Sequence, residues 1–333
     1  MDLLSCLAMK QSPSVSRPFG PPIVIAHRGA SGYLPEHTFA AKAYAHALGA
    51  DFLEQDVVLT RDDVPVVFHD LVLEEVTNVA AVFPDRRRAD GHWYLVDLDF
   101  AELSQLAVND RVNPANGEST YPGRFGEHLP LRIRSLAEEL AFIRGLNRGT
   151  GRHAGIYTEV KSPAWHRAEG KDLSPIVLRT LADFGYSTAD DNVWLQCFDA
   201  AELMRIKGEL GCQLRLVQLI GENDWLESPT DYDLLRTPAG LASVAAYASG
   251  IGPWIPQVVQ WPAPGAAPVC SSLVRDAHAV GLAVHPYTLR LDQLPENAGS
   301  AAAAHQALFE LADVDGLFTD FPDVTLAALG RRR

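Results

Sequence analysis

A (β/α)8 barrel with a small inserted segment after its second strand is the fold the sequence predicts, on three observations. Eight apolar runs of strand length are each followed by a helical pattern, the alternation that builds a parallel sheet wrapped in helices. One further run, Pro65 to Phe68, follows its predecessor after only Thr60 to Val64, too short for the crossover a parallel neighbour needs, so the two form a hairpin. Charged and polar residues also gather at the carboxyl ends of the runs, where barrels of this kind carry their active sites.

The elements follow in order. An irregular tail over residues 1–22, with Pro18, Gly20, Pro21 and Pro22 at its end, leads to a strand over Ile23 to Ala26. A helix is expected from Glu36 to Leu48, closed by Gly49, and a second strand over Phe52 to Leu59. The βα rhythm is then lost from Leu71 to Leu131, so an insertion is set at about 60–131. Within it Arg86, Arg87 and Arg88 read as a solvated charge run. Rhythm resumes where Ser135 and Glu138 form a capping box, before strands at Gly155 to Val160, Val193 to Phe198 and Leu214 to Ile220. Three more are expected at Gly250 to Gly252, Leu282 to Tyr287 and Gly316 to Thr319, with Pro322 opening the last helix. The barrel domain thus covers 23–329 and a basic tail 330–333.

Composition bounds the function. The 333 residues are 47% hydrophobic and 21% charged, ordinary for a globular chain, and the net charge of −14 argues against a nucleic-acid partner. An anionic substrate would then be drawn by local charge only. No apolar run approaches the roughly 18 residues a spanning helix needs, and no stable membrane insertion is expected. Four scattered cysteines imply neither a disulfide framework nor a metal knuckle. The sequence sets no oligomeric state.

Chemistry concentrates at strand ends. Residues two apart on a strand share a face, so Glu54 and Asp56 point together and Gln55 points away. Two carboxylates so close repel unless a cation lies between them or one is protonated. With Glu159 they make an oxygen-only set that suits Ca²⁺, or else Mg²⁺, better than Zn²⁺. His27 and His69 are the acid–base candidates, and Arg28 and Lys161 the candidates for holding an anion's oxygens. Phe198, Tyr287 and Trp225 are candidate pocket walls. His285 is expected to hydrogen-bond in the pocket and Glu36 to be structural. Asp70 is not assigned as the partner of His69, because a continuing strand would point it to the other face, and it could serve only if the backbone turns there; Asp320 is given no role.

The ordered set H-R-G-A-S-G-Y-L-P-E-H-T, F-L-E-Q-D-V, V-V-F-H-D, Y-T-E-V-K-S-P and G-L-F-T-D-F-P-D resembles the glycerophosphodiester phosphodiesterase family. The likeness runs from Ile23 to about Leu329 and looks nearest the bacterial periplasmic branch, which shares His37 where the wider family has Asn. It implies a metal, usually Ca²⁺, on Glu54, Asp56 and Glu159. It further implies His27 and His69 as acid and base, with their roles left open, and a cyclic phosphate intermediate. Glycerol 3-phosphate and an alcohol such as choline, ethanolamine or glycerol would be the products. It also implies a periplasmic location, although Asp2 stands where an export signal carries positive charge, which makes the cytoplasm the alternative. Three rival readings fit less well. A lipid-cleaving barrel hydrolase lacks a basic amphipathic helix here, a glycosidase would need no metal or histidine pair, and a non-catalytic surface binding protein would have lost some of these residues.

Overall fold

The computed structural model describes residues 19–331. The readings for the N-terminal tail up to Pro18, including Cys6 and Asp2, and for the last two arginines lie outside the described residues. The strands are β1 (Ile23–Ala26), β2 (Phe52–Leu59), β3 (Pro65–Val67), β4 (Arg134–Ser135), β5 (Gly155–Val160), β6 (Val193–Cys197), β7 (Arg215–Ile220), β8 (Gly250–Pro253), β9 (Val259–Gln260), β10 (Val269–Cys270), β11 (Ala283–Val284) and β12 (Gly316–Thr319). Eight of them stand side by side in the order β11, β8, β7, β6, β5, β2, β1, β12. Parallel register holds along that path. The ring closes where Asp315 N donates to Val284 O and Phe318 N to Pro286 O, both at 3.0 Å. The (β/α)8 barrel is therefore complete, with β9 and β10 as a small antiparallel pair beside it.

Helices cover the outer face of the ring and bury apolar residues such as Leu53, Val57, Ile156, Leu195, Leu203 and Ile206 between sheet and helix. Burial of such side chains stabilises by roughly 1.5–3 kcal/mol each. Inside the ring a plug of Ile25, Phe52, Tyr157, Trp194, Val217, Ala283 and Phe318 fills the floor.

The first helix begins at Phe39, three residues later than the sequence suggests. His37 has φ 58°, outside helical space, and Thr38 Oγ1 accepts from Ala41 N, so Thr38 rather than Glu36 is the cap. The strand expected over Leu282 to Tyr287 is regular only at Ala283–Val284, because Pro286 has no N–H to give the ladder. A short helix at Pro163–Ala168 was not expected.

The hairpin reading holds: β3 runs antiparallel to β2, pairing Val57 with Val67. β3 in turn pairs with β4, a strand not foreseen, which ties both ends of the insertion to the barrel wall. Between them the insertion builds its own small core from Leu73, Val76, Val79, Leu95, Leu98, Leu103 and Leu106. Arg86 and Arg88 are paired rather than merely solvated. Arg86 donates to Glu102 at 2.7 Å, and Arg88 to Asp97 at 2.7 Å and Glu169 at 2.9 Å.

Candidate active site

The barrel floor dictates what stands above it, because strand side chains repeat every second residue. Two residues beyond Ile25, Phe52, Tyr157, Trp194 and Phe318 come His27, Glu54, Glu159, Gln196 and Asp320. All are buried. Two further along come Asp56, Lys161 and Phe198. Asp56 lies directly opposite Glu159 in the β2–β5 register. This layering sets the mouth of a cavity of about 220 Å³, lined by His27, Arg28, Glu54, Asp56, His69, Glu159, Lys161, Phe198 and Tyr287, among others. Every candidate catalytic, binding and metal-ligating residue from the sequence therefore faces one cavity.

One oxygen each of Glu54, Asp56 and Glu159 falls within 4.8 Å of the others. Burial, reinforced by Asp56, pushes the Glu54 carboxyl up to about 8. Burial does the same to Glu159, which Glu54 and Asp56 raise further despite Lys161. Asp56 goes the other way: burial works against it, yet His37 and nearby cationic groups hold it well below the usual range. Its Oδ1 is buried without a hydrogen-bond partner among the described residues, while Oδ2 takes His37 Nε2 at 2.8 Å. Mutual repulsion and an unfilled buried oxygen are what a divalent cation would relieve. An oxygen-only trio fits such an ion.

At the end of β1 the chain turns sharply. Gly29 has φ 95°, and a Cβ there would stand 2.8 Å from the Ala41 carbonyl carbon, so only glycine fits. Arg28 is held at φ 56°, which aims its backbone N–H at Glu54 Oε2, 2.8 Å away. Its guanidinium donates to Glu36 Oε1 at 2.8 Å and lies 3.6 Å from Asp56. Glu36 accepts in turn from Arg111 of the insertion at 2.8 Å. Glu36 is thus structural in a specific sense: it fixes the phosphate candidate.

His27 Nδ1 lies 2.7 Å from Asp320 Oδ1, and its Nε2 lies 3.9 Å from Glu54 Oε2. Asp320 is ionised, held well below the usual range by Arg290, His27 and Arg124 against its burial, so it can only accept and Nδ1 must carry the proton. Burial and then Arg28 push this imidazole down to about 4, against the pull of Asp320. His69 Nδ1 lies 2.5 Å from Asp70 Oδ1, and its Nε2 lies 3.4 Å from Lys161 Nζ. Asp70 thus serves His69 by the one route left open for it, a turning backbone. β3 ends at Val67 and the backbone bends, so alternation no longer applies. Burial, then Arg28 and Lys161, keep His69 below the ordinary imidazole range. Lys161 Nζ also pairs with Glu159 Oε1 at 3.1 Å.

His285 is not in the pocket. It hydrogen-bonds the Tyr157 hydroxyl at 2.9 Å within the barrel interior. The Tyr287 hydroxyl is spent on Ile220 O at 2.9 Å, so its ring is what it offers. Sequence reasoning missed two arginines of the insertion. Arg111 donates to Asp70 at 2.7 Å and Arg124 to Asp320 at 2.7 Å. It also missed Trp254, Glu227 and Arg290 on the cavity wall. Their loops carry no periodicity that would have placed them. Among the described residues Cys197, Cys212 and Cys270 are free thiols.

The sequence profile of the "Glycerophosphoryl diester phosphodiesterase family" matches residues 27–324. The chain belongs to that family. A glycerophosphodiester phosphodiesterase of Haemophilus influenzae is 40% identical, the alignment covering 90% of this chain and 88% of that one. One of Treponema pallidum is 36% identical, covering 93% and 92%. Among solved structures, one from Silicibacter pomeroyi superposes with a TM-score of 0.68 at 24% identity, covering 93% of each chain. An Oleispira antarctica phosphodiesterase in complex with the product sn-glycerol-3-phosphate superposes at 0.61 and 20% identity, covering 93% and 97%. These two establish the barrel fold alone. By family and curated kinship the activity is glycerophosphodiester hydrolysis, and the family depends on a metal, for which the buried trio is the fitting place.

Proposed function

We propose that the chain hydrolyses soluble glycerophosphodiesters, such as glycerophosphocholine and glycerophosphoethanolamine, to glycerol 3-phosphate and an alcohol, with His27 and His69 as acid and base. The convergence of two carboxylate-held imidazoles on one carboxylate trio is the observation that carries this reading. Glu54, Asp56 and Glu159 would hold a divalent cation, proposed as Ca²⁺ rather than Mg²⁺ because a carboxylate set tolerates its looser geometry. Such an ion supplies positive charge to a phosphoryl oxygen and acidifies a neighbouring hydroxyl.

The chain's own residues do the rest. Arg28, braced by Glu36, and Lys161, braced by Glu159, bind the phosphate oxygens. Each imidazole presents Nε2 to the cavity because its Nδ1–H is given to a carboxylate. One imidazole takes the proton of the glycerol hydroxyl next to the phosphate, whose oxygen attacks phosphorus in line. The other gives a proton to the departing alcohol. The cyclic phosphate so formed is opened by water with the two roles reversed, releasing glycerol 3-phosphate. The ring of Phe198 and that of Tyr287 line the pocket beside this centre. We also propose a periplasmic location, on the resemblance of the motifs to one bacterial branch, which fractionation of expressing cells checks.

The test is release of glycerol 3-phosphate from glycerophosphocholine with added Ca²⁺ or Mg²⁺, after EDTA, and in His69→Ala. Release should require the ion and fall to background in the variant. No release with any divalent cation would sink the reading.

A further inference from the structure

The cavity has a second half that the hydrolytic chemistry does not use. Beside the charged centre, where Lys161 Nζ lies 5.6 Å from the Phe198 ring centroid, stand Phe198, Trp225, Trp254 and Tyr287, one from the turn after each of β6, β7, β8 and β11, together with Glu227. The indoles of Trp225 and Trp254 meet edge to face, ring centroids 5.2 Å apart and planes at 69°. Both are unusually open for tryptophan, 41% and 37% exposed.

They are also fixed in place. Gln257 Nε2, from the turn that carries Trp254, donates to Gly221 O at 2.8 Å and Glu222 Oε1 at 2.9 Å in the loop that carries Trp225. A Cβ on Gly221 would lie 3.1 Å from the Trp225 ring and 3.5 Å from Phe198, so the missing side chain is what lets the indole settle there. Leu226 at φ 57° turns the loop between Trp225 and Glu227. Glu227 makes no ion pair or hydrogen bond among the described residues, yet its charge is felt by Lys161 and Tyr287.

Held, water-exposed aromatic faces carry a negative quadrupole, and beside them stands an unpaired carboxylate. That combination attracts a cation and offers a neutral polyol much less. We propose that this wall is a leaving-group subsite selecting glycerophosphodiesters whose alcohol bears an ammonium, quaternary or primary. The inference rests on the hydrolytic reading above and adds the class of head group. It also explains how a chain of net charge −14 discriminates without a global field: the phosphate goes to Arg28 and Lys161, the ammonium to the aromatic wall.

The test compares kcat/KM for glycerophosphocholine, glycerophosphoethanolamine and the uncharged-alcohol glycerophosphoglycerol in the metal-loaded enzyme, with Trp225→Ala, Trp225→Phe and Glu227→Gln. Trp225→Ala and Glu227→Gln should each lower the choline-to-glycerol ratio, about tenfold for the tryptophan, and Trp225→Phe should restore part of it. Tetramethylammonium chloride, set against sodium chloride at equal ionic strength, should change tryptophan fluorescence saturably in the parent and not in Trp225→Ala. Equal losses on all three diesters, or a ratio indifferent to both substitutions, would overturn the subsite. If no diester is cleaved, the hydrolytic reading fails instead. The fluorescence titration then still decides the cation site, and a response without saturation, or one untouched by Trp225→Ala, overturns it.

Discussion

His27 and His69 are built to the same plan and differ in what the free ring nitrogen faces. Each gives Nδ1–H to an aspartate, and each aspartate is gripped by an arginine of the insertion, Arg124 for Asp320 and Arg111 for Asp70. The other ring nitrogen differs. That of His27 looks toward the Glu54 carboxylate at 3.9 Å, that of His69 toward the Lys161 ammonium at 3.4 Å. An ammonium favours the neutral imidazole, and Lys161 adds to what holds His69 below the ordinary range. His27 is also more enclosed, its side chain 10% exposed against 28% for His69. A shared orienting plan thus leaves the division of labour to what the free nitrogen faces. On the proposed mechanism His69, kept neutral beside Lys161, takes the acceptor's part and His27 the donor's.

The largest expected effect tests that division. His27→Ala and His69→Ala should each lower kcat by about 10²–10⁴-fold on glycerophosphocholine. On a glycerophosphodiester with a p-nitrophenol leaving group, which needs little protonation, His27→Ala should recover most of its loss and His69→Ala should not. Recovery in His69→Ala alone would exchange the roles. Next come the orienting carboxylates. Asp320→Asn and Asp70→Asn let Nδ1 accept instead of donate, which turns the wrong tautomer to the substrate, and kcat should fall at least about 100-fold.

The arginines should separate the two sides more gently. Arg124→Ala loosens Asp320 only in part, since Arg290 remains at 3.2 Å. About a tenfold loss in kcat with KM little changed is expected from steady-state kinetics. Arg111→Ala also releases Glu36, the brace of Arg28, so KM should rise together with the fall in kcat. Equal KM for the two variants would show that Glu36 holds Arg28 unaided.

The smallest effect concerns stability. In the metal-free protein His27 and His285 sit near pKa 4 when folded, against about 6.5 unfolded. Between those values the unfolded chain binds protons the folded one refuses, so stability drops as pH falls from about 6.5 toward 4. His285→Gln should flatten that slope, by up to about 3 kcal/mol over the interval, read from denaturant midpoints at successive pH. An unchanged slope would mean that His285 keeps its ordinary pKa.

Much of this was legible in the chain. The strands at Ile23–Ala26, Phe52–Leu59, Gly155–Val160 and Gly316–Thr319 have the bounds their apolar runs indicate, because glycine or charge punctuates each. Glu54, Asp56 and Glu159 could be grouped since period two is fixed by strand geometry. Asp70 escaped for the same reason reversed, as period two was carried past the point where the strand stops. Arg111 and Arg124 were invisible because the insertion has neither period, and a side chain that reaches 196 residues along the chain, as Arg124 does to Asp320, leaves no local trace. Trp254 hid behind a proline-flanked turn that reads as connection only.

The hydrogen bond from His27 to Asp320 spans 293 residues, from the first barrel strand to the end of the last. In time rather than space, the carboxylate trio is on hand once β5 has left the ribosome, but the imidazole facing it has nothing to orient it until almost the final residues emerge. A chain clipped before β12 would carry all three carboxylates of the trio and still lack the partner that orients His27.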